Sequence, residues 1–401
     1  MNYSTSEFLD YIEENDVKFV KLTFCDFLGR QRNISVLSSQ LPDAFENGVS
    51  IDSGAITGVG GIDLKLVPVS SLLSVLPWRP HAGRVVSVFC NIKNLDGTPY
   101  VCDPMVLLEE QVKKLAALGL KAQVATECEF YVFKDDADHK LEPFDTADYC
   151  ACAPFDKCEN LRRDVILSLE DMGLKPISSH HERGMGQNEI DFESADPAAA
   201  ARNFIMFKTA VKNVCDINGT VASFMPKPLG SLPGSGLHLS VTLSGKDAQE
   251  KSAAFAEGVM RRYREITCFA NPTNNSYSRL KRDYKITYGV NRGKAMRIFG
   301  NNIVQLRTPD SSCNIFTVLA LVFAAGREGI EQGLKLRKEG EYNECLFNSI
   351  EEAVDFAGKS EWLRGNIPGV FDDVLGSVRK RYIVEQALDN EYSLFEFHSD
   401  I

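Results

Sequence analysis

The sequence predicts an α+β protein in two parts, a small N-terminal part rich in strands and a larger part in which strands lie between helices. Two strand patterns, "VKFVKLTFC" and "RQRNISV", flank "DFLG" and indicate a hairpin with Gly29 in the turn, and "GRVVSVFCNI" predicts another strand. The segment "KNLDGTPYVCDP" holds an Asp-Gly turn and ends at Pro104, immediately before a helix pattern. We therefore place the domain boundary between residues 1–103 and 104–401.

Helix and strand patterns alternate through the second part. Two amphipathic helices end near Gly119 and Gly173, and Asp196 with Pro197 begins a third. Strand patterns cover residues 123–133, 220–228 and 237–243, one long helix is predicted over about 248–267, and the chain after residue 315 is predicted to be helical.

The composition is that of a soluble globular protein, with 401 residues of which 44% are hydrophobic and 25% are charged. The net charge of −11 and the lack of a long basic run argue against a nucleic acid partner. The start "MNYSTSEFLD" is unlike a secretory signal, and no apolar stretch reaches the length of a membrane span. With 11 scattered cysteines, we expect reduced thiols and a cytoplasmic protein.

A pair of glutamates stands out in the strand pattern "TECEFYVF". Glu127 and Glu129 are two residues apart, so their side chains lie on the same strand face, about 7 Å apart. Unpaired carboxylates at that spacing repel and raise each other's pKa. The pair indicates either a solvent-facing strand surface or a site for a divalent cation.

Further acidic residues occur in "HHERGMGQNEIDF". Glu182 and Glu189 flank a glycine-rich loop, and Glu189 shares a strand face with Asp191. His238 follows at the start of a later strand, in "GSGLHLSV". Carboxylates with one imidazole suit Mg²⁺ or Mn²⁺ better than structural zinc. A solvated acidic strand and a core histidine are the alternative interpretation.

Arginines beside turn signals form the next group, namely Arg279, Arg292, Arg297 and Arg307. Guanidinium groups bind carboxylates and phosphates through paired hydrogen bonds. Several arginines together with several glutamates are typical of phosphoryl transfer, in which cations and arginines share the developing charge. Surface Arg–Glu pairs are the alternative.

Taken in chain order, these motifs resemble those of the glutamine synthetase family, and the matches cover most of the chain. The resemblance implies a small N-terminal β-grasp domain followed by a glutamine-synthetase-type catalytic domain, an antiparallel sheet with flanking helices. It also implies homo-oligomeric rings, usually of twelve subunits, with an active site at each subunit junction. The matching segments are "TECEFYVF", "HHERGMGQNEIDF", "TVASFMPKP", "GSGLHLSV", "ANPTNNSYSRL", "NRGKAMRI" and "RTPDSSCN", with "VKFVKLTFCDFLGRQRNISV" and "IDSGAITGVGGIDLKLVPVSSLLSVLPW" similar to the N-terminal domain.

The reaction that the resemblance implies is ATP-dependent. ATP phosphorylates the γ-carboxylate of glutamate, and an amine displaces the phosphate, with two or three Mg²⁺ or Mn²⁺ ions per site. By motif match, the resemblance implies that the first ion is bound by Glu129, Glu182 and Glu189. The second ion would be bound by Glu127, His238 and Gln305. The resemblance also implies that Arg279, Arg307 and Gly234 bind the substrate glutamate and that Arg292 and Arg297 face the phosphates. Asp52 would help to bind ammonium at the site of a neighbouring subunit.

Several positions depart from the family pattern. Gln305 stands where the family has a glutamate ligand of the second ion, which predicts a weakened second site. Ile303 replaces an arginine near the nucleotide. After "NSYSRL" the family has a flap with a glutamate that takes a proton from ammonium; here "KRDYKITYGV" is shorter, with Lys285 at that position and Asp283 as a stand-in.

The other departures are Pro233 for a residue that contacts the amino group of glutamate, and Ala55 for a serine near Asp52. Together the departures leave three functions open. The first is a ligase that joins glutamate to an organic amine, because a shorter flap leaves room for a larger nucleophile. The second is a glutamine synthetase proper, and the third is a non-catalytic or regulatory homologue.

Overall fold

The computed structural model describes residues 4–78, 83–135, 140–300, 302–369, 371–388 and 390–400. The N-terminal part is a five-stranded sheet in the order β2-β1-β5-β4-β3, in which β1 and β5 run parallel and the other neighbours antiparallel. Its elements are α1 (Thr5–Glu14), β1 (Val17–Cys25), β2 (Gln31–Leu37), a 3₁₀ turn (Ser38–Gln40), α2 (Leu41–Asn47), β3 (Val49–Asp52), α3 (Gly54–Thr57), β4 (Asp63–Val75) and β5 (Arg84–Asn94).

The predicted hairpin is confirmed as β1 and β2, and its turn joins the two parts of the chain. Gly29 has φ of +83°, and a Cβ there would come within 2.6 Å of the backbone of Asn314. The side chain of Asn314 donates to the carbonyl oxygens of Asp26 and Phe27 at 3.2 and 3.0 Å. Glycine is therefore required at this turn both by its conformation and by the close approach.

The second part is an eight-stranded sheet in the order β11-β12-β13-β10-β6-β8-β7, with β9 paired to the far end of β6. Its elements are α4 (Pro104–Ala117), β6 (Leu120–Lys134), α5 (Glu159–Asp171), β7 (Pro176–His181), β8 (Gln187–Phe192), α6 (Pro197–Ile217), β9 (Thr220–Ser223), β10 (Leu237–Gly245), α7 (Ala248–Arg261), α8 (Tyr263–Ala270), α9 (Asn274–Arg279), β11 (Tyr288–Gly289), β12 (Met296–Phe299), β13 (Ile303–Leu306), α10 (Ile315–Glu331), a 3₁₀ turn (Glu339–Glu341), α11 (Ile350–Ala357), α12 (Glu361–Asn366), α13 (Phe371–Glu385) and α14 (Glu391–Phe397). The predicted α+β class is confirmed, with helices flanking a sheet that is antiparallel except where the short β11 pairs with β12.

Two predicted elements were wrong in extent. The strand predicted over 220–228 ends at Ser223, because Pro226 and Pro228 have no N–H to donate to a sheet. The single helix predicted over about 248–267 is two helices that meet at Arg262. The guanidinium of Arg262 is bonded there to Glu265 and Glu328, which ties the junction to α10.

The apolar helix α10 is buried along most of its length, and it packs very closely on α7. A Cβ at Gly329 would lie 2.1 Å from the carbonyl oxygen of Ala254, and one at Gly258 would lie 2.1 Å from that of Ala325. Glycines on both helices therefore permit the contact. Among the described residues, no helix combines the length and the apolar character needed to cross a bilayer.

The register of the large sheet positions the acidic residues. Glu127 of β6 pairs with His238 of β10 on one side and with Asp191 of β8 on the other, and Glu129 pairs with Glu189. Side chains on paired residues lie on the same face of a sheet. Between the two glutamates, Cys128 points to the opposite face and is fully buried in the core.

Candidate active site

The acidic face of β6 is the centre of the candidate site. The ligand atoms of Glu129, Glu189 and His238 lie within 4.8 Å of one another, and so do those of His180, Glu182 and Glu189. Glu189 belongs to both groups, because the loop between β7 and β8 returns the chain beside β6. The structure thus brings together the three glutamates that sequence motifs predict for a first cation.

Two of these glutamates, Glu129 and Glu182, are held by specific donors. One oxygen of Glu129 accepts from the backbone N–H of Gly236 at 3.0 Å and from Nε2 of Gln187 at 3.1 Å. Glu182 accepts from the backbone N–H of Arg183 at 2.9 Å, and its other oxygen lies 3.0 Å from Nε2 of His180. Each carboxylate therefore keeps a fixed orientation with lone pairs left over.

The charge on this face is poorly compensated by the protein. Burial, together with the carboxylates of Glu129 and Asp191, raises the pKa of Glu189 to about 10. Burial also raises the pKa of Glu129, although His238 opposes the shift. One oxygen of Asp191 is buried with no hydrogen-bond partner among the described residues. A divalent cation would neutralise this cluster, and all-oxygen ligands with one imidazole suit Mg²⁺ or Mn²⁺.

Glu127 lies in a different environment from Glu129. Its Oε1 accepts from Nε2 of Gln305 at 2.8 Å, and its Oε2 lies 3.1 Å from Nδ1 of His238. Burial acts to raise the pKa of Glu127, but the hydrogen bond and charge of His238, with Arg307 and Arg297, bring the pKa below its ordinary value. Both carboxylate oxygens of Glu127 are thus engaged within the protein.

Three of the predicted arginines lie next to this arrangement. Nη1 of Arg297 and Nη1 of Arg307 both donate to Oε1 of Gln305, at 3.1 and 3.2 Å. Nε of Arg307 donates to the carbonyl oxygen of Arg292 at 2.9 Å. The side chain of Arg292 is exposed and hydrogen-bonds to Tyr149, a contact that raises the pKa of Arg292. The guanidinium groups form a positive rim beside the acidic face.

Arg279 lies at the other end of the site. It donates to the carbonyl oxygens of Thr308 and Pro309, yet its Nε is buried without a partner among the described residues. A Cβ at Gly234 would come within 2.3 Å of Cγ of Arg279, so glycine is required for this packing.

The structure also places residues that sequence motifs did not single out. Gln187 donates to both Glu129 and the carbonyl of Gly234, at 3.1 and 3.2 Å, and so links the cation side to the Arg279 side. Tyr149 is partly exposed and stacks edge-on against His180 with ring centroids 5.5 Å apart. Gln187 lies within a quoted motif, whereas no local pattern marked Tyr149.

A buried network supports the loop that carries Glu182. His181 lies 2.6 Å from the carbonyl oxygen of Glu182 through Nδ1 and 2.9 Å from Asp145 through Nε2. Asp145 also accepts from the backbone N–H of Gly186 at 2.9 Å. Burial acts to raise the pKa of Asp145, but these hydrogen bonds lower it to about 2. Asp145 therefore fixes both ends of the loop between Glu182 and Gln187.

The short segment 283–286, at the position of the family flap, is bonded to residues 344–348. Asp283 and Asn348 exchange two hydrogen bonds, of 2.8 and 3.1 Å, and Lys285 forms an isolated β-bridge with Cys345. The backbone N–H of Ile286 donates to the carbonyl of Glu344 at 2.9 Å. The side chain of Lys285 is exposed, and the carboxylate of Asp283 is engaged by Asn348.

Asp52 is exposed at the end of β3, in the N-terminal sheet. Its two oxygens accept from the backbone N–H groups of Gly54 and Gly61, each at 2.8 Å, and these bonds lower its pKa. These contacts belong to its own loop and not to the acidic face. The role of Asp52 at the site of a neighbouring subunit stays a prediction.

Comparison with known proteins identifies relatives of this chain. The chain matches the profiles described as "Glutamine synthetase, beta-Grasp domain" over residues 16–95 and "Glutamine synthetase, catalytic domain" over residues 101–392. It is 33% identical over 399 residues to the glutamine synthetase of Clostridium saccharobutylicum, which covers 90% of each chain. It is 36% identical over 349 residues to that of Methanosarcina mazei, which covers 80% of this chain and 78% of the relative.

A solved structure described as "Apo GmaS without ligand" has the same fold, with a TM-score of 0.88 over 98% of both chains at 24% sequence identity. The two profiles together span both structural parts, from the N-terminal sheet to the helices after the large sheet. The chain therefore belongs to the glutamine synthetase family.

Proposed function

We propose that this protein is an ATP-dependent ligase that joins glutamate, through γ-glutamyl phosphate, to an organic amine. The observation that carries the proposal is the short segment from Asp283 to Ile286, bonded to residues 344–348. Where the family has a glutamate that takes a proton from ammonium, this segment presents the exposed Lys285. A flap shortened in this way leaves room for a nucleophile larger than ammonium.

The acid substrate has matching groups at the Arg279 end of the site. We assign its carboxylates to Arg279 and to Arg307, whose Nη1 lies 3.4 Å from Nδ1 of His238. Gly234 shapes this end by allowing Arg279 to approach. Paired N–H groups in fixed orientation suit carboxylate recognition.

Phosphoryl transfer would take place at the acidic face. When bound, Mg²⁺ or Mn²⁺ supplies positive charge to the phosphates of ATP. Glu129, Glu182 and Glu189 would bind the cation. Arg292 and Arg297 would stabilise the negative charge that develops on the transferred phosphoryl group. The partly exposed ring of Tyr149, next to His180, offers an apolar surface for the carbon chain of an amine.

Phosphate release from ATP, with glutamate and a panel of nucleophiles, tests the proposal. The panel runs from ammonium through methylamine and ethanolamine to diamines and amino acids, with Glu129→Gln as the inactive control. We expect release that depends on an organic amine, with a γ-glutamyl product of matching mass. Release with ammonium alone would instead establish a glutamine synthetase.

A non-catalytic homologue is the second candidate, favoured by the neutral Gln305 and by Ile303 at positions near the phosphates. Nucleotide binding without phosphate release for any nucleophile would support it. The buried acidic cluster argues against this candidate. Such a cluster destabilises the fold unless it binds a cation, and a protein without turnover gains no catalysis in return.

A further inference from the structure

The surroundings of Gln305 distinguish this site from one that binds a pair of cations. We propose that the side chains of each active site hold one divalent cation, through Glu129, Glu189 and His238 with Glu182 beside them. In place of a second ion, the amide of Gln305 links Glu127 to Arg297 and Arg307. The inference refines the proposed ligase site and rests on that function for its catalytic meaning.

The hydrogen bonds of Gln305 fix which way its amide faces. The side chain is fully buried, with Nε2 donating to Glu127 at 2.8 Å and to Oγ of Ser240 at 3.1 Å. Its single acceptor, Oε1, receives N–H groups from Arg297 and Arg307 at 3.1 and 3.2 Å. An amide nitrogen has no lone pair to offer a cation, and the oxygen is already shared between guanidinium groups.

Reversing the amide does not restore a ligand. The NH₂ group would then face the N–H groups of Arg297 and Arg307, which are also donors, while the oxygen would face the carboxylate of Glu127. Both contacts would be repulsive, and a buried donor without an acceptor destabilises a protein. The observed orientation is therefore the stable one, and it excludes Gln305 as a cation ligand.

The orientation of His238 also supports a single cation. Its Nδ1 lies 3.1 Å from a carboxylate oxygen of Glu127 and 3.4 Å from Nη1 of Arg307. Its Nε2 lies on the side of Glu129, whose nearest carboxylate oxygen is 3.9 Å away. Metal-binding histidines commonly donate their other N–H to a carboxylate, which orients the ring. Glu127 thus positions His238 for the single cation without being a ligand itself.

The balance of charge agrees with this assignment. On one side of His238, Glu129 and Glu189 lie close together with a shortage of positive charge. On the other side, Glu127 is accompanied by Arg297 and Arg307 through Gln305. A second dication would be repelled by the guanidinium groups, which already supply the charge that it would bring.

Counting Mn²⁺ ions per full-length chain tests the proposal. Equilibrium dialysis and calorimetry would be run without nucleotide, since nucleotides carry ions of their own. We expect one ion per chain in the wild type and a second ion in Gln305→Glu, in which a carboxylate replaces the amide. Two ions in the wild type, or a spin-coupled manganese pair in its electron paramagnetic resonance spectrum, would overturn the proposal.

A second comparison holds even if Gln305→Glu fails to fold. Glu127→Gln should keep the ion count at one and weaken Mn²⁺ binding by roughly 10- to 100-fold, as loss of an orienting partner does. Glu129→Gln should remove the bound ion. Loss of one of two ions in Glu127→Gln would show that Glu127 is itself a ligand and would contradict the proposal. Ion counts are independent of turnover, so a protein that binds one ion and releases no phosphate would refute only the ligase function.

Discussion

At the residue scale, the acidic face of β6 shows how a function can require an arrangement that weakens the fold. Glu189 is only 7% exposed, and Glu129 and Asp191 are its neighbours. Because its pKa is raised to about 10, Glu189 in the metal-free folded protein keeps at neutral pH a proton that the unfolded chain has already lost. A raised carboxyl pKa therefore makes folding stability fall as pH rises between the unfolded value and the folded value.

We predict a corresponding pH dependence in thermal melts of the metal-free protein. Between pH 6 and 9 the free energy of unfolding should fall by up to about 1.4 kcal/mol per pH unit from this one group. Glu189→Gln should remove most of the slope, whereas Glu182→Gln should keep it, because contacts lower the pKa of Glu182. Excess Mn²⁺ should flatten the wild-type curve, and an unchanged slope in Glu189→Gln would contradict the assignment.

Asp145 acts through another residue, so its effect should differ from that of a ligand. Both nitrogens of His181 face acceptors, which means that the ring carries both protons, and hydrogen bonds to Asp145 and Glu182 outweigh burial to raise its pKa. Asp145→Asn removes the charge partner and loosens the loop between Glu182 and Gln187.

We expect Asp145→Asn to weaken Mn²⁺ binding by about tenfold or more while one ion per chain still binds. The exposed Asp148→Asn serves as the control. Calorimetric titration checks the prediction. A variant that melts earlier but binds Mn²⁺ with wild-type affinity would show that Asp145 serves stability alone.

At the scale of elements, sequence period and motif spacing predicted the parts of the site that lie on strands. The two-residue spacing placed Glu127 and Glu129 on one face, and the register with β8 and β10 then followed from burial of the opposite face. The contacts of Asp145 and of Asn348 join residues far apart in the chain, and nothing in their local sequence indicates them. The break at Arg262 likewise depends on Glu328, which lies 66 residues away.

The attachment of the short segment leads to a prediction about its mobility. Asn348→Ala removes both hydrogen bonds to Asp283, so backbone amides 283–286 should exchange hydrogen faster, by roughly tenfold for each 1.4 kcal/mol lost. The matched control is Asn343→Ala, an exposed asparagine on the same later segment. Hydrogen-exchange mass spectrometry checks the rates, and equal exchange in both variants would show that Asn348 does not hold the segment.

At the scale of the whole molecule, the position of Asp52 raises the question of where a complete site is formed. Asp52 lies in the N-terminal sheet and bonds within its own loop, while the acidic face belongs to the large sheet. If Asp52 serves the site of a neighbour, each site combines residues of adjoining chains, and the contact is of the head-to-tail kind that closes rings.

We therefore predict that inactive variants restore each other. Asp52→Ala and Glu129→Gln should each lose activity as homo-oligomers, since each variant damages every site. When the two are co-expressed at equal levels, about one quarter of the sites should receive an intact Asp52 and an intact Glu129 from different chains, given random mixing around a head-to-tail ring.

Co-expression of Glu129→Gln with Glu189→Gln is the control and should restore nothing, because both residues lie on the same face of one chain. Recovery in the first mixture alone would place Asp52 in the active site of the adjoining subunit, whereas no recovery in either mixture would confine Asp52 to the loop that it now stabilises.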